Sequence, residues 1–118
     1  MIKLRIDHYT FGRITVNGRK FTSDIIIHAN GRVQDNWWRK KGHELVPEDI
    51  GTLLDNPPRR LIIGTGSSGL MLVSERVMEL CRERGIEVES FSTPEAVQRF
   101  NEFAEKGASV AACFHLTC

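Results

Sequence analysis

The chain divides by pattern into a front half whose apolar residues alternate and a back half in which strand-like runs are separated by helical stripes. In the front half Ile14 and Val16 alternate with polar residues up to Asn17-Gly18, and Arg19-Lys20-Phe21 follows. Asn-Gly supplies the positive φ angles of a type I′ turn, so a tight hairpin is expected there. The arrangement recurs as Asp24-Ile25-Ile26-Ile27-His28, then Asn30-Gly31, then Val33. A second Asn-Gly hairpin is therefore expected. The unbroken isoleucine run predicts a strand covered on both faces. The opening Met1-Ile2-Lys3-Leu4-Arg5-Ile6-Asp7 also alternates like a strand.

A short helix is expected after Val46. Pro47 suits a first helical position, Glu48 and Asp49 suit the N-terminal dipole, and Ile50, Leu53 and Leu54 would face the core before Asn56-Pro57-Pro58 ends it. In the back half, Arg60-Leu61-Ile62-Ile63 reads as a strand entering a glycine loop. Glu75 to Arg84 reads as a helix, with Ser74 as N-cap and Gly85 as its stop. Ile86-Glu87-Val88-Glu89 reads as a strand. Thr93-Pro94-Glu95 opens a helix capped by Thr93, on which Ala96, Val97, Phe100, Phe103 and Ala104 make one apolar stripe up to Gly107. Val110 to Leu116 is then a last, central strand. Helices of this length between strands imply crossovers and a substantially parallel sheet. The expectation is one α/β domain over 1–118, with a hairpin-rich part (1–58) and a C-terminal βαβαβ unit (59–118).

Composition narrows the function classes. The 118 residues carry 16 basic and 15 acidic side chains, a net charge of +1, without the basic stripe of a nucleic-acid binder. Arg39-Lys40-Lys41 beside Trp37 and Trp38 reads as a solvated loop. No apolar run approaches the roughly 20 residues of a membrane span. The N-terminus lacks a signal-peptide apolar block, so a cytoplasmic location is expected. Cys81, Cys113 and Cys118 are odd in number and lack Cys-x-x-Cys spacing, which argues against a disulfide framework or a zinc site.

The candidate chemistry centres on Gly64-Thr65-Gly66-Ser67-Ser68-Gly69, with Glu89 twenty residues beyond the last glycine. Those letters match the dinucleotide fingerprint, in which glycines admit a pyrophosphate and an acid holds a ribose hydroxyl. Three features weigh against that cofactor, and none is expected. Leu70-Met71-Leu72-Val73 delays the helix, the β/α part supplies only one three-strand half, and hairpins precede it. A milder reading keeps Gly64, Thr65, Gly66, Ser67 and Ser68 as a nest of N–H and hydroxyl donors for a small anion, with Asp24, His43 and His115 converging on it. The alternative is a tight turn that needs glycine only for its backbone angles. Cys113-x-His115-x-x-Cys118 suggests a metal, but Cys113 and His115 face one way on a strand and Cys118 the other. No metal is expected, and a buried, hydrogen-bonded His115 with apolar-packed cysteines is. Asp24 would cap or pair with a loop, and His43 would make a loop hydrogen bond. Trp37 and Trp38 would either pack inside or, if exposed, form a partner-binding patch.

Several motifs stand in order along nearly the whole chain: Phe11-Gly12-x-Ile14-x-Val16-x-Gly18, Asp24-Ile25-Ile26-Ile27, Trp38-Arg39 with Gly42-His43-x-Leu45, Leu61-Ile62-Ile63-Gly64-Thr65-Gly66, Gly85-Ile86-x-Val88, Thr93-Pro94-Glu95-Ala96-Val97 and His115-Leu116-Thr117-Cys118. Together they resemble an uncharacterised family of small archaeal, bacterial and mitochondrial proteins. It includes the adipogenesis-associated domain-containing protein and a mitochondrial assembly factor of respiratory complex I. The resemblance implies a three-layer α/β fold with a mixed central sheet and an added hairpin layer, and it carries over no catalytic residues. Two roles follow as expectations. The first is a non-catalytic binding or assembly-type protein with another protein as partner. The second is a small-anion-binding protein or enzyme using the glycine loop. The reading leans away from an enzyme, and an NAD-dependent oxidoreductase is disfavoured.

Overall fold

The structure is a computed structural model that describes residues 4–118. Strands β1 (Ile6–Thr10), β2 (Arg13–Val16) and β3 (Arg19–Phe21) form an antiparallel sheet in that order. The alternating N-terminus is thus a strand from Ile6 onward, while Met1, Ile2 and Lys3 lie outside the described residues. The β2–β3 turn is the expected one, with Asn17 and Gly18 at φ 48° and 81°, as type I′ requires.

Strands β4 (Ile25–Ile27) and β5 (Val33–Gln34) make the second hairpin, through a wider turn than Asn30-Gly31 implies. His28 N–H donates to the Arg32 carbonyl, Gly31 N–H donates to the His28 carbonyl, and Gly31 takes a positive φ of 94° while Asn30 does not. The Asn30 side chain instead accepts the Arg32 N–H at 2.9 Å, a local turn that asparagine favours for its own reasons.

Strand β6 (Glu44–Leu45) precedes the short helix, a 3-10 turn over Pro47–Ile50 that runs into α1 (Gly51–Leu54). The back half follows as β7 (Arg60–Thr65), β8 (Leu72–Val73), α2 (Glu75–Glu83), β9 (Glu87–Phe91), α3 (Thr93–Glu105) and β10 (Val110–His115). Ser74 caps α2 by accepting the Arg76 N–H. For α3 the cap shifts by one residue. Ser92 takes the N-cap position and Thr93 is already helical, because the Thr93 hydroxyl is committed elsewhere, as described below. The parallel pair β6–β8 has two residues per strand, too few for alternation to announce it.

The main sheet has the order β5-β4-β10-β7-β9. Strand β10 is central, parallel to β7 and antiparallel to β4, and β9 extends the parallel part. This is the mixed sheet expected. Its faces are separated by side-chain parity. Ile25, Ile27, Ile62, Ala112 and Phe114 pack with α3 and with Ile6, Ile14, Val16 and Phe21 of the hairpin sheet. Ile26, Leu61, Ile63, Ala111 and Cys113 pack on the other side with Val77 and Cys81 of α2 and with Trp37, Leu45, Ile50 and Leu53. The result is three layers, with the isoleucine run buried on both sides. The chain steps from β7 to β9 on one side and returns to β10 on the other. The carboxyl ends of β7 and β10 therefore flank the position where ligands sit in open α/β sheets.

Candidate functional site

Register brings three segments to that position. His115 is paired with Thr65 across β10 and β7, and antiparallel pairing of Phe114 with Ile25 sets Asp24 beside His115. The Asp24 carboxylate is fully used. Its Oδ1 accepts the Leu116 N–H at 2.7 Å, and its Oδ2 lies 2.7 Å from both His115 Nδ1 and Arg39 Nη1. An ionised carboxylate donates nothing, so the His115 hydrogen sits on Nδ1 and points at Asp24. The 3.0 Å approach of Arg39 Nη2 to the same nitrogen is then a close contact and not a hydrogen bond. Arg39 also donates from Nε to the Gly42 carbonyl at 2.7 Å and lies over the Trp37 ring at 5.0 Å. The Arg39 and His115 side chains are almost wholly enclosed.

Burial pushes the Asp24 carboxyl up. The hydrogen bonds from His115, Leu116 and Arg39 outweigh it and hold the group below the ordinary aspartate value. Tyr9 belongs to the same cluster. Burial pushes its phenol up, a hydrogen bond with Ser67 pulls it back, and the Asp24 charge raises it further. Its hydroxyl donates to the Leu116 carbonyl at 2.8 Å. The exposed His43 ring meets His115 edge-on, with centroids 6.0 Å apart. His115 Nε2 is buried and has no hydrogen-bond partner among the described residues. His115 is thus buried and hydrogen-bonded, and Asp24 pairs with a loop residue, as expected of both. His43 makes this ring contact with its side chain and a loop hydrogen bond with its backbone carbonyl, which accepts the Leu72 N–H at 2.8 Å.

The glycine loop faces the chain itself. Ser67 N–H donates to the Thr117 carbonyl and Leu70 N–H to the Cys118 carbonyl at 3.2 Å, while Gly69 N–H closes back on Gly66. Thr93 Oγ1 accepts the Gly66 N–H at 2.9 Å and donates to the His115 carbonyl at 2.6 Å, which joins α3 to both strand ends. Two glycines of the motif have a steric reason, whereas Gly69 answers only to its positive φ of 71°. A Cβ at Gly64 would stand 2.7 Å from Phe114 and 2.9 Å from Thr93 Oγ1. At Gly66, which has φ +110°, a Cβ would collide with the Cys118 backbone. The loop also leads into β8 and not directly into a helix; α2 begins only at Glu75.

The two tryptophans separate. Asn36, at φ 51°, turns the chain so that Trp37 is buried and donates its indole N–H to the Asp49 carbonyl at 2.9 Å, while Trp38 is 78% exposed. Cys81 and Cys113 are buried and free, and Cys118 is exposed, which corrects the expectation of three apolar-packed thiols. Cys118 lies beyond β10, in the segment that crosses the glycine loop. Among the described residues no group of three or more His, Cys, Asp or Glu side chains could hold a metal ion, and no helix is long and apolar enough to cross a membrane.

Arg39 and Thr93 take roles other than the solvated loop and the helix cap expected of them, and Tyr9 carries no signal in the sequence. Arg39 read as part of a solvated basic run, and its partner Asp24 lies 15 positions away. The one signal was its place directly after two tryptophans. The exposed apolar residues Phe11, Leu70 and Leu72 were also missed. Phe11 precedes Gly12, whose N–H donates to Leu116; Leu70 donates to Cys118; Leu72 donates to the His43 carbonyl. All three are thereby tied to the same end of the sheet, and they are 60% to 69% exposed.

Comparison with known proteins places these features in context. Residues 6–115 match the model of a family described as a protein of unknown function (DUF498/DUF598). The human NADH dehydrogenase (ubiquinone) 1 alpha subcomplex assembly factor 3 is 30% identical over 105 residues, and the rat protein of that name is equally similar. The alignment covers 86% of this chain and 55% of those relatives, so the chain spans about half their length. Among solved structures, one named MT938 superposes with a TM-score of 0.81 at 30% identity, covering 98% of this chain and 99% of its own. The conserved hypothetical protein PH1505 from Pyrococcus horikoshii OT3 superposes with a TM-score of 0.85 at 28% identity, covering 97% and 99%.

Proposed function

The chain belongs to the DUF498/DUF598 family of proteins of unknown function, and from that premise we propose that it is a non-catalytic, assembly-type domain that works by binding another protein. The observation that carries this reading is the set of exposed apolar side chains Phe11, Leu70 and Leu72 on segments hydrogen-bonded to Leu116, Cys118 and His43. Large apolar groups gathered at one end of a domain mark an interaction surface more often than an inert one. The loop beneath them is held by the protein's own carbonyls. The Asp24–Arg39–His115 cluster serves as the rigid support of that surface, since it pins the β10 end, the 39–42 loop and β4 to one another. Relatives named as assembly factors at 30% identity agree with such a role. The cytoplasmic location expected from the sequence belongs to the same proposal, and cell fractionation tests it.

Quantitative affinity capture from native cells tests the reading, with the wild type compared against Phe11→Ser/Leu70→Ser/Leu72→Ser. A defined set of proteins retained by the wild type and lost by the variant, at equal melting temperature, is expected. Identical retention by both overturns the reading.

One observation favours a second reading. His115 Nε2 is a buried nitrogen without a hydrogen-bond partner among the described residues, and such an acceptor asks for a donor. A small ligand carrying a hydroxyl, such as a hydrogen phosphate, would donate to it by displacing His43 from the His115 ring and the Thr117–Cys118 segment from the glycine loop, whose N–H groups would meet its remaining oxygens. A thermal-shift screen of phosphate, nucleotides including NAD, and carboxylates tests this, since a tight ligand raises the melting temperature. No shift with any of them removes the second reading.

A further inference from the structure

A separate feature lies away from the glycine loop. A cavity of about 620 Å³ opens between the 34–38 loop and the helical segment that follows β6, lined among others by Gln34, Asn36, Trp38, Glu48, Asp49 and Asp55. Its walls are fixed. The Trp37 indole N–H holds the Asp49 carbonyl, Asn36 N–H donates to Ser23 Oγ at 2.8 Å, and the two Asp49 oxygens accept the Lys40 and Val46 N–H groups at 2.9 Å each. That bracing keeps Trp38 in solvent. No cation lies over Trp38 among the described residues, whereas Arg39 covers Trp37. The charged lining is acidic throughout. Asp49 is spent on the backbone, Glu48 makes an exposed 3.6 Å contact with Lys40, and Asp55 has no ion-pair partner among the described residues.

We propose that this cavity receives an arginine side chain from an extended segment of a partner protein, with Trp38 as the stacking face and Asp55 and Glu48 as the charge complement. The proposal rests on the reading of the chain as a protein-binding domain and adds the partner's chemistry. A guanidinium is planar and weakly hydrated, so it stacks on an indole while its fork meets a carboxylate. An anionic or purely apolar segment would gain the indole contact at the cost of facing three carboxyl groups. The chain's net charge of +1 supplies no general attraction for cations, so the selectivity must come from this cavity.

The test is a titration of acetyl-Gly-Gly-Arg-Gly-Gly-amide into the ¹⁵N-labelled protein, followed by the Trp38 indole N–H and the Asp55 amide. The same peptide carrying citrulline in place of arginine serves as the neutral counterpart. Saturable shifts at both positions are expected, with binding at least about fivefold weaker for citrulline and for Trp38→Ala and Asp55→Asn. Both substitutions are at exposed positions, and an unchanged melting temperature confirms that the variants fold. Equal binding of the citrulline peptide, shifts that persist in Trp38→Ala, or no shifts at all overturn the proposal. Failure here leaves partner capture through Phe11, Leu70 and Leu72 unaffected, so the two readings fail separately.

Discussion

Asp24 Oδ2 and His115 Nδ1 stand 2.7 Å apart across 91 positions of sequence. The contact exists because β4 and β10 run antiparallel and place the residue before the isoleucine run beside the last residue of the central strand. Arg39 enters the same oxygen from a loop. Asp24→Asn keeps the shape and removes the charge, leaving the enclosed Arg39 guanidinium uncompensated. Breaking one partner of a buried pair costs about 3 kcal/mol or more, and urea unfolding should show a midpoint lowered accordingly. The double variant Asp24→Asn/Arg39→Met should recover part of that loss.

The pH dependence follows from the direction of the Asp24 shift. Its folded value lies below its unfolded one, so its contribution is fully present above about pH 4 and fades as the pH falls through the folded value. Thermal melts from pH 6 to pH 2, at about half-unit steps, should show a steeper acid loss for the wild type than for Asp24→Asn. Parallel curves would contradict the pairing.

The glycines give a contrast within one chain. Gly66→Ala forces a Cβ into the Cys118 backbone at a positive φ. The Thr117–Cys118 segment must then leave the loop, at a cost of about 2 kcal/mol or more. Gly51 sits in open space with ordinary helical angles. Gly51→Ala should therefore stabilise by about 0.4–1 kcal/mol. Melting temperatures of the two variants, moving in opposite directions, are the check.

Thr93 and the thiols supply two further outcomes. Thr93→Val preserves shape but strands the His115 carbonyl and the Gly66 N–H, and it should cost about 1–3 kcal/mol, while Thr93→Ser should cost much less. In native protein at pH 8, a thiol reagent should modify Cys118 alone. Burial pushes the Cys81 and Cys113 thiols up, Cys113 most of all. Fast reaction of a second thiol would contradict that packing.

What the sequence disclosed tracks the range of its signals. Asn17-Gly18, the isoleucine triplet, Ser74 with Gly85 and the 96–104 stripe are local patterns, and each fixes a local structure. The centrality of β10 was visible because Val110 to Leu116 is apolar at both parities, and only an inner strand buries both faces. The Asp24–Arg39–His115 cluster was half visible. Asp24 and His115 each flank a buried strand, but Arg39 lies in a basic run whose solvated reading is sound for Lys40 and Lys41. Thr93 looked like a cap because Thr-Pro-Glu has the right letters. Its hydroxyl is drawn away by two strand ends that only the assembled sheet brings within reach. The glycine letters are ambiguous for the same reason: packing against Phe114, Thr93 and Cys118 requires the same missing Cβ that a pyrophosphate would.

The most direct test of the binding role is site-specific photo-crosslinking in native cells, with a photoreactive residue at position 70 and a control at Glu79 on the exposed face of α2. Discrete covalent adducts from position 70 that are absent from position 79 are expected. No adduct from position 70, or the same adducts from both positions, would contradict it.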